Sequence, residues 1–132
     1  EVRIGVLSHR GDEATLKNWS PTADYLSREI PEYRFVIVPL DFREIEPAVK
    51  NEEVEFLLVN PGIYVNLEVR YRITRIATLN NLLNDRPLNL FGGVVFTRAD
   101  RNDIRTLEDV RDKRFMAVDQ TSLGGFQMAW QT

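Results

Sequence analysis

The sequence predicts a mixed α/β domain in which a mostly parallel sheet is flanked by helices. Short apolar runs typical of buried strands alternate along the chain with segments whose apolar residues recur at helical spacing. Such alternation is typical of parallel strands joined by helical crossovers. The length of 132 residues and the hydrophobic content of 43% are those of an ordinary globular domain.

The predicted strands of the first half are short and rich in β-branched residues. They are expected at Val2–Leu7, at Phe35–Leu40, at residues 55–59 and at residues 73–79. Because helical segments separate these strands, they are expected to form a mostly parallel sheet with helices on its faces.

The predicted helices of the first half each have a start signal. Ser20 and Pro21 are expected to begin the first helix, because serine can cap and proline suits the first helical position. Asp41 and Glu44 match a capping box for the second helix. Pro61 is expected to begin the third helix.

The second half of the chain carries weaker signals. Strands are expected at residues 92–97 and 115–118, and Thr106 is expected to cap a short helix between them. Residues 82–88 are interpreted as a loop, and a helix is expected from residue 122.

Composition excludes several classes of site. The chain has no cysteine and one histidine, which excludes thiolate and multi-histidine metal sites, and no cofactor is expected. The net charge of −3 lacks the basic surplus of a general nucleic-acid binder. No apolar run approaches a membrane span and no signal peptide is visible. The chain opens inside a predicted strand, so we expect it to be a piece of a longer protein.

The loops after the strands are the places to look for a ligand. In parallel α/β sheets, ligands bind beyond the carboxyl ends of the strands. Those loops follow Leu7, Leu40, Val59 and Val118.

The loop after the third strand reads Asn-Pro-Gly-Ile-Tyr. Asn60 offers a donor and an acceptor and Tyr64 a hydroxyl, beside helix-start amides that could face a ligand. The alternative is that Asn60 caps the helix and Tyr64 packs.

The loop after the last predicted strand reads Thr-Ser-Leu-Gly-Gly. Thr121, Ser122, Gly124 and Gly125 could hold an anion on open backbone amides. The sequence matches neither the dinucleotide fingerprint nor a P-loop, so a flexible turn before a helix is equally open.

The loop after the first strand contains Ser8, His9 and Arg10, which could meet an anion or be solvated. The arginines within residues 70–75 could form a basic strip that binds a partner, or they could lie on the solvent-exposed side of a strand. No serine nucleophile lies in a GxSxG elbow. These candidate residues favour a binding function over a catalytic one.

Taken in order, several stretches resemble one known family. They are IGVL, WSPTADYL, PLDF, EFLLVNPGIYV, RIATL, GGVVFTRAD, LEDVRDKRFMAVD and SLGGF. Together they resemble the phosphonate-binding branch of type 2 periplasmic binding proteins. The closest resemblance is to the sensor version of that fold, found outside the membrane in some bacterial histidine kinases, including tetrathionate-sensing ones.

The resemblance implies two α/β lobes that close on a small ligand in the periplasm. Residues 1–90 would form lobe one, and residues 91–132 would be the crossover strand and an incomplete start of lobe two. It implies a sensing domain that is not itself an enzyme and meets the membrane only through other parts of its parent. The alternative is a soluble binding protein of a phosphonate- or phosphate-type ABC transporter. Exposed sheet edges would also allow a dimer.

The resemblance also implies which residues touch the ligand. The transporter-type family has a tyrosine at the position of Phe42 and a Ser-Thr-Ser run at residues 122–124, whereas Tyr64 is kept. The lost hydroxyls argue against a phosphonate held in the usual way, while the remaining amides suit another oxyanion such as a sulfur oxyanion. The predicted ligand-binding residues are Ser8, His9, Arg10, Phe42, Asn60, Tyr64, Thr121, Ser122, Gly124 and Gly125.

Overall fold

The structure is a computed structural model that describes residues 1–88, 90 and 92–131. The chain divides into two compact units, one of Glu1–Thr74 and one that begins at Arg75. The predicted lobe boundary at residue 90 was inferred from family resemblance and not from contacts within the chain, so it stays a prediction.

The first unit is built on a parallel sheet. Strand β1 (Val2–Leu7) lies at its centre, between β2 (Phe35–Leu40) and β3 (Phe56–Leu58). Both neighbours run parallel to β1, and the register places Leu7 opposite Leu40. Since helices connect these strands, the predicted α/β class is confirmed, and β3 is one residue shorter at each end than expected.

Helix α1 (Asp12–Glu29) begins well before the expected start at Ser20. Pro21 lies inside the helix instead of in its first turn. The true start is at Gly11, whose φ of 92° turns the chain into the helix. Asp12 and Glu13 then place negative charge in the first turn, where it stabilises the helix dipole. The serine–proline pair therefore gave a false start signal.

Helix α3 (Pro61–Tyr71) begins at Pro61 as expected. Helix α2 (Ile45–Lys50) begins later than the capping box indicated, after a turn at residues 42–44. The capping box is present, since the Asp41 carboxylate accepts from the backbone of Glu44 at 3.0 Å and the Glu44 carboxylate accepts from that of Asp41 at 2.8 Å. Both helices contribute to one buried core with the end of β2. Its buried members are Leu40, Ile45, Ala48, Ile63 and Leu67.

The second unit contains an antiparallel hairpin where a loop was expected. Strand β4 (Asn81–Leu83) pairs with β5 (Arg86–Leu88). Asn84 and Asp85 both have positive φ, 50° and 60°, as a two-residue type I′ turn requires. The loop prediction for residues 82–88 is therefore wrong, because the turn at Asn84 and Asp85 lets the flanking residues pair.

The strands expected at residues 73–79, 92–97 and 115–118 do not form in the described part of the chain. An apolar β-branched run favours a strand, but a strand also needs a hydrogen-bonded neighbour for its backbone. Apolar side chains in these segments stay exposed, including Phe96 (88%) and Met116 (94%). The apolar pattern predicted that these three segments would be buried strands. In the described part of the chain they lack the hydrogen-bonded neighbour that a strand needs.

Short helical turns complete the second unit. A 3₁₀ turn spans Glu108–Val110, and the Asp109 carboxylate accepts from the Thr106 backbone and hydroxyl, so Thr106 donates to the turn instead of capping it. A π-helical turn, Leu123–Gln127, leads into α4 (Met128–Trp130), so helix does begin after residue 122 as expected. Among the helices described, none combines the length and apolar character needed to cross a bilayer.

Gly5 provides a first test of the sheet. A Cβ at this position would lie 2.8 Å from Cδ1 of both Leu40 and Leu57. Gly5→Ala is therefore expected to lower the free energy of unfolding by about 1–3 kcal/mol, because a packed core must shift to admit the methyl group. Urea titration followed by circular dichroism measures this. Gly92→Ala is the matched control, since nothing lies within 4 Å of that Cβ, and equal unfolding midpoints for both variants would contradict the packing described.

The ion pair between β1 and the residue before β3 provides a test by pH. Glu55 accepts from the Arg3 guanidinium at 2.6 Å and from the Arg3 backbone at 2.6 Å. The Arg3 side chain first, and then its backbone N–H, lower the pKa of Glu55 from 4.5 to about 2. Because the folded pKa is depressed, the stabilisation is present above pH 4.5 and is lost as the pH falls toward 2.

The stability difference between wild type and Glu55→Gln should therefore shrink as the pH falls through that window. Urea titrations at several pH values measure it. Arg3→Gln is the control background, in which replacing Glu55 should give a weaker pH dependence because the guanidinium is absent. A difference that stays constant from pH 7 to pH 2 would contradict the assignment.

Candidate functional site

The loop after β1 is closed by its own hydrogen bonds. The Ser8 hydroxyl donates to Asp12 Oδ1 at 2.5 Å, and the Gly11 N–H donates to the Ser8 carbonyl at 3.2 Å. His9 and Arg10 are exposed. The Ser8 hydroxyl proton is therefore engaged with a carboxylate, and His9 and Arg10 are the polar side chains that this loop presents to solvent.

The loop after β2 is capped by a carboxylate. Asp41 Oδ1 accepts from the backbone N–H groups of Arg43 at 2.6 Å and Glu44 at 3.0 Å. Phe42 is half-buried and packs against the core of the first unit. An anion could use these amides only by displacing Asp41.

The loop after β3 is capped by a neutral side chain. Asn60 Oδ1 accepts from the backbone of Gly62 at 2.9 Å and of Ile63 at 3.2 Å. The amides that the sequence suggested were open are thus occupied, as in the alternative interpretation. Within the described part of the chain, the carboxamide NH₂ of Asn60 makes no hydrogen bond, so its two donors face outward from the cap.

Tyr64 lies in the first turn of α3 and is half-buried. Its hydroxyl donates to the carboxylate of Glu68, one turn further along the helix. This is the usual spacing for two side chains that meet on a helix surface. A ligand that binds the Tyr64 hydroxyl would do so beside a carboxylate.

The loop of the second unit repeats the arrangement seen at Asn60. Asp119 Oδ1 accepts from the Thr121 backbone at 2.8 Å and from its hydroxyl at 2.6 Å. Ser122 Oγ accepts from the Gly125 N–H at 3.2 Å. The Ser122 carbonyl accepts from both Phe126 and Gln127, which widens the first turn into a π-helical one. Within residues 1–88, 90 and 92–131, the hydroxyl proton of Ser122 has no acceptor and is left to donate.

Close packing explains the glycines at positions 125 and 93. A Cβ on Gly125 would lie 2.8 Å from Ser122 Oγ, the capping atom itself. A Cβ on Gly93 would lie 2.5 Å from the Gly124 carbonyl oxygen, so the segment at residue 93 passes directly against the loop. Sequence reasoning missed Gly93, although the Gly92-Gly93 pair was visible as a signal for close backbone approach.

The sheet brings the first three loops to one edge. Parallel strands end on the same side, and β1 lies between β2 and β3. The Ser8 N–H donates to the Leu40 carbonyl at 2.8 Å, which joins the first two loops. These two loops carry the carboxylates of Asp12 and Asp41, whereas the third carries the donors of Asn60. The uncharged cap of this edge is therefore the one that follows β3.

No group of three or more metal-binding side chains occurs in the part of the chain that the structure describes. The loop that contains Ser122 belongs to the second unit.

Comparison with known proteins gives a consistent result. Residues 4–131 match the family described as the periplasmic substrate-binding protein of a phosphonate ABC transporter. The chain is 32% identical over 129 residues, 97% of its length, to the tetrathionate sensor histidine kinase TtrS of Salmonella typhimurium, and it spans 22% of that protein. No solved structure is significantly similar to the chain.

These matches agree with the parallel sheet, the helix-start loops and the resemblance seen in the sequence, including the sensor version of the fold. The chain belongs to the phosphonate-binding family of periplasmic substrate-binding proteins.

Proposed function

We propose that this chain is the extracytoplasmic sensing domain of a two-component sensor histidine kinase, and that it binds a small oxyanion. The observation that carries the proposal is the similarity to a tetrathionate sensor kinase over 97% of the chain. Because the chain spans 22% of that relative, the kinase activity would belong to other parts of the parent. This domain would bind in the periplasm without catalysing a reaction, and the parent would supply the membrane anchor.

The capping groups support an oxyanion ligand. Asn60 and Ser122 each use an acceptor oxygen on helix-start amides, and among the residues that the structure describes neither has a partner for its side-chain donor. Hydrogen bonds from such donors to a charged group contribute about 1.5–3 kcal/mol each. In the first unit, the carboxamide of Asn60 is the group that would hold the oxyanion. Ser122 offers a donor of the same kind within the second unit.

The positions at which this chain differs from the transporter-type family favour a sulfur oxyanion over a phosphonate as the ligand. Phe42 packs against the core where the transporter-type proteins have a tyrosine, and Leu123 and Gly124 replace two hydroxyl residues. Tetrathionate carries less charge per oxygen than a fully ionised phosphonate, so it would need fewer donors. A ligand that binds the closed form of the two lobes more tightly would shift the parent toward one signalling state. A dimer of the parent would place two such domains together.

The second candidate is a soluble binding protein that delivers its ligand to an ABC transporter. The family description itself favours this candidate, since it names a transporter substrate-binding protein. Deleting the gene distinguishes the two. Loss of a tetrathionate-dependent transcriptional response, with uptake unchanged, supports the sensor, whereas loss of solute uptake with transcription unchanged supports the transporter.

Replacing Asn60 separates capping from ligand binding. Asn60→Asp keeps an acceptor for the Gly62 and Ile63 amides, so its stability should stay within about 0.5 kcal/mol of wild type, whereas Asn60→Ala should lose about 1 kcal/mol. Both remove the NH₂ donors. We expect Asn60→Asp to weaken tetrathionate binding by at least about tenfold, because it also adds a negative charge.

Isothermal titration calorimetry on the parent's complete periplasmic domain measures the affinity. Asn66→Asp is the matched control, because it adds the same charge at an exposed position of α3 without touching the cap. Wild-type affinity in Asn60→Asp would contradict the role of Asn60. Binding of methylphosphonate but not of tetrathionate by the wild type would contradict the proposed ligand class.

A further inference from the structure

A polar cluster joins the end of α3 to the start of α2. Glu46 Oε1 accepts from Arg70 Nη1 at 2.7 Å and from the Tyr71 hydroxyl at 2.8 Å. Both donors belong to the last turn of α3, and Glu46 lies in the first turn of α2. One carboxylate oxygen therefore ties two helices that follow different strands of the sheet.

The cluster holds the part of α3 that the core holds least. The fully buried side chains of α3 are Ile63 and Leu67, in its first two turns. In the last turn, Tyr71 is only half-buried against the core and Val69 is 77% exposed. The polar contacts to Glu46 thus add a lateral restraint to the C-terminal turn, beside the packing of Tyr71 against the core.

The other side of the cluster is well anchored. Glu46 follows Ile45, which is 2% exposed and lies in the core. The helix start beside it is fixed by the reciprocal hydrogen bonds of Asp41 and Glu44. A restraint that begins at Glu46 therefore begins at a rigid point of the first unit.

We propose that Glu46 is a positioning residue for the ligand loop at the start of α3. The helix is about 16 Å long and behaves as a rod over that distance. Its two ends are Asn60, with its outward NH₂, and the turn that Glu46 holds. Releasing that turn lets the helix pivot about Ile63 and Leu67, which displaces the donors of Asn60. The ligand-binding part of this inference rests on the proposed function.

The acceptor oxygen of Glu46 and its negative charge can be tested separately. The Tyr71 hydroxyl first, and then Arg70, lower the pKa of Glu46 below its ordinary value, so the carboxylate is ionised near neutral pH. A glutamine at this position keeps an acceptor oxygen for both donors and loses the charge. Alanine loses the acceptor altogether.

The first experiment needs no ligand. Hydrogen exchange of the Gly62 and Ile63 amides, followed by NMR in the chain itself, reports whether the Asn60 cap has moved. We expect Glu46→Ala and Tyr71→Phe to speed this exchange at least about fivefold beyond any change in global unfolding. Glu46→Gln should rescue it to within about twofold of wild type, since the acceptor remains. Val69→Ala, in the same part of α3 but facing solvent, is the control and should have no effect.

Tetrathionate titration of the same variants in the parent's complete periplasmic domain is the second readout. Glu46→Ala should bind about tenfold more weakly and Glu46→Gln nearly as well as wild type. If Glu46→Ala fails to fold, Tyr71→Phe, which removes one donor, decides the question. Unchanged exchange at Gly62 and Ile63 in Tyr71→Phe would overturn the positioning role. Failure of the wild type to bind tetrathionate would overturn the proposed function instead, and the exchange result would still stand.

Discussion

The central position of β1 is the constraint on which the first unit depends. This strand hydrogen-bonds to β2 on one side and to β3 on the other, and Gly5 leaves just enough room for leucines from both neighbours. Because all three strands are parallel, their following loops must end at the same edge of the sheet. The place where a ligand could bind is therefore set by backbone pairing, before any polar side chain is considered.

At that edge, the donors that remain for a ligand depend on which side chain accepts from the backbone amides after β2 and after β3. A carboxylate cap satisfies the amides and leaves negative charge, as Asp41 does, whereas an amide or hydroxyl cap satisfies them and leaves a donor. Asn60 and Ser122 are caps of the second kind. An oxyanion can then be recognised without uncapping a helix, which avoids the cost of freeing buried backbone amides.

Sequence reasoning was accurate where local signals and tertiary context agree. The parallel strands, the Asp41–Glu44 capping box and the start of α3 at Pro61 all have short-range signatures that the core reinforces. It failed at Pro21, where a helix already begun at Asp12 overrides a local start signal. It also failed for residues 92–97 and 115–118, because apolar pattern reports a tendency toward burial and cannot supply a strand partner. The orientation of the Asn60 carboxamide, with its oxygen on the helix-start amides and its NH₂ group away from them, can be known only from the three-dimensional structure.

The most direct test of this account is an NMR titration of the parent's periplasmic domain with tetrathionate, observing the Asn60 side-chain NH₂ together with the Gly62 and Ile63 amides. If the Asn60 carboxamide donates to the ligand while it caps the helix, its NH₂ resonances shift, and the shift saturates as tetrathionate is added. The Gly62 and Ile63 amides keep their slow exchange, because Asn60 still accepts from them. If the two amides shift strongly and the side-chain NH₂ does not, the ligand has displaced Asn60 from the helix start, and the account is contradicted.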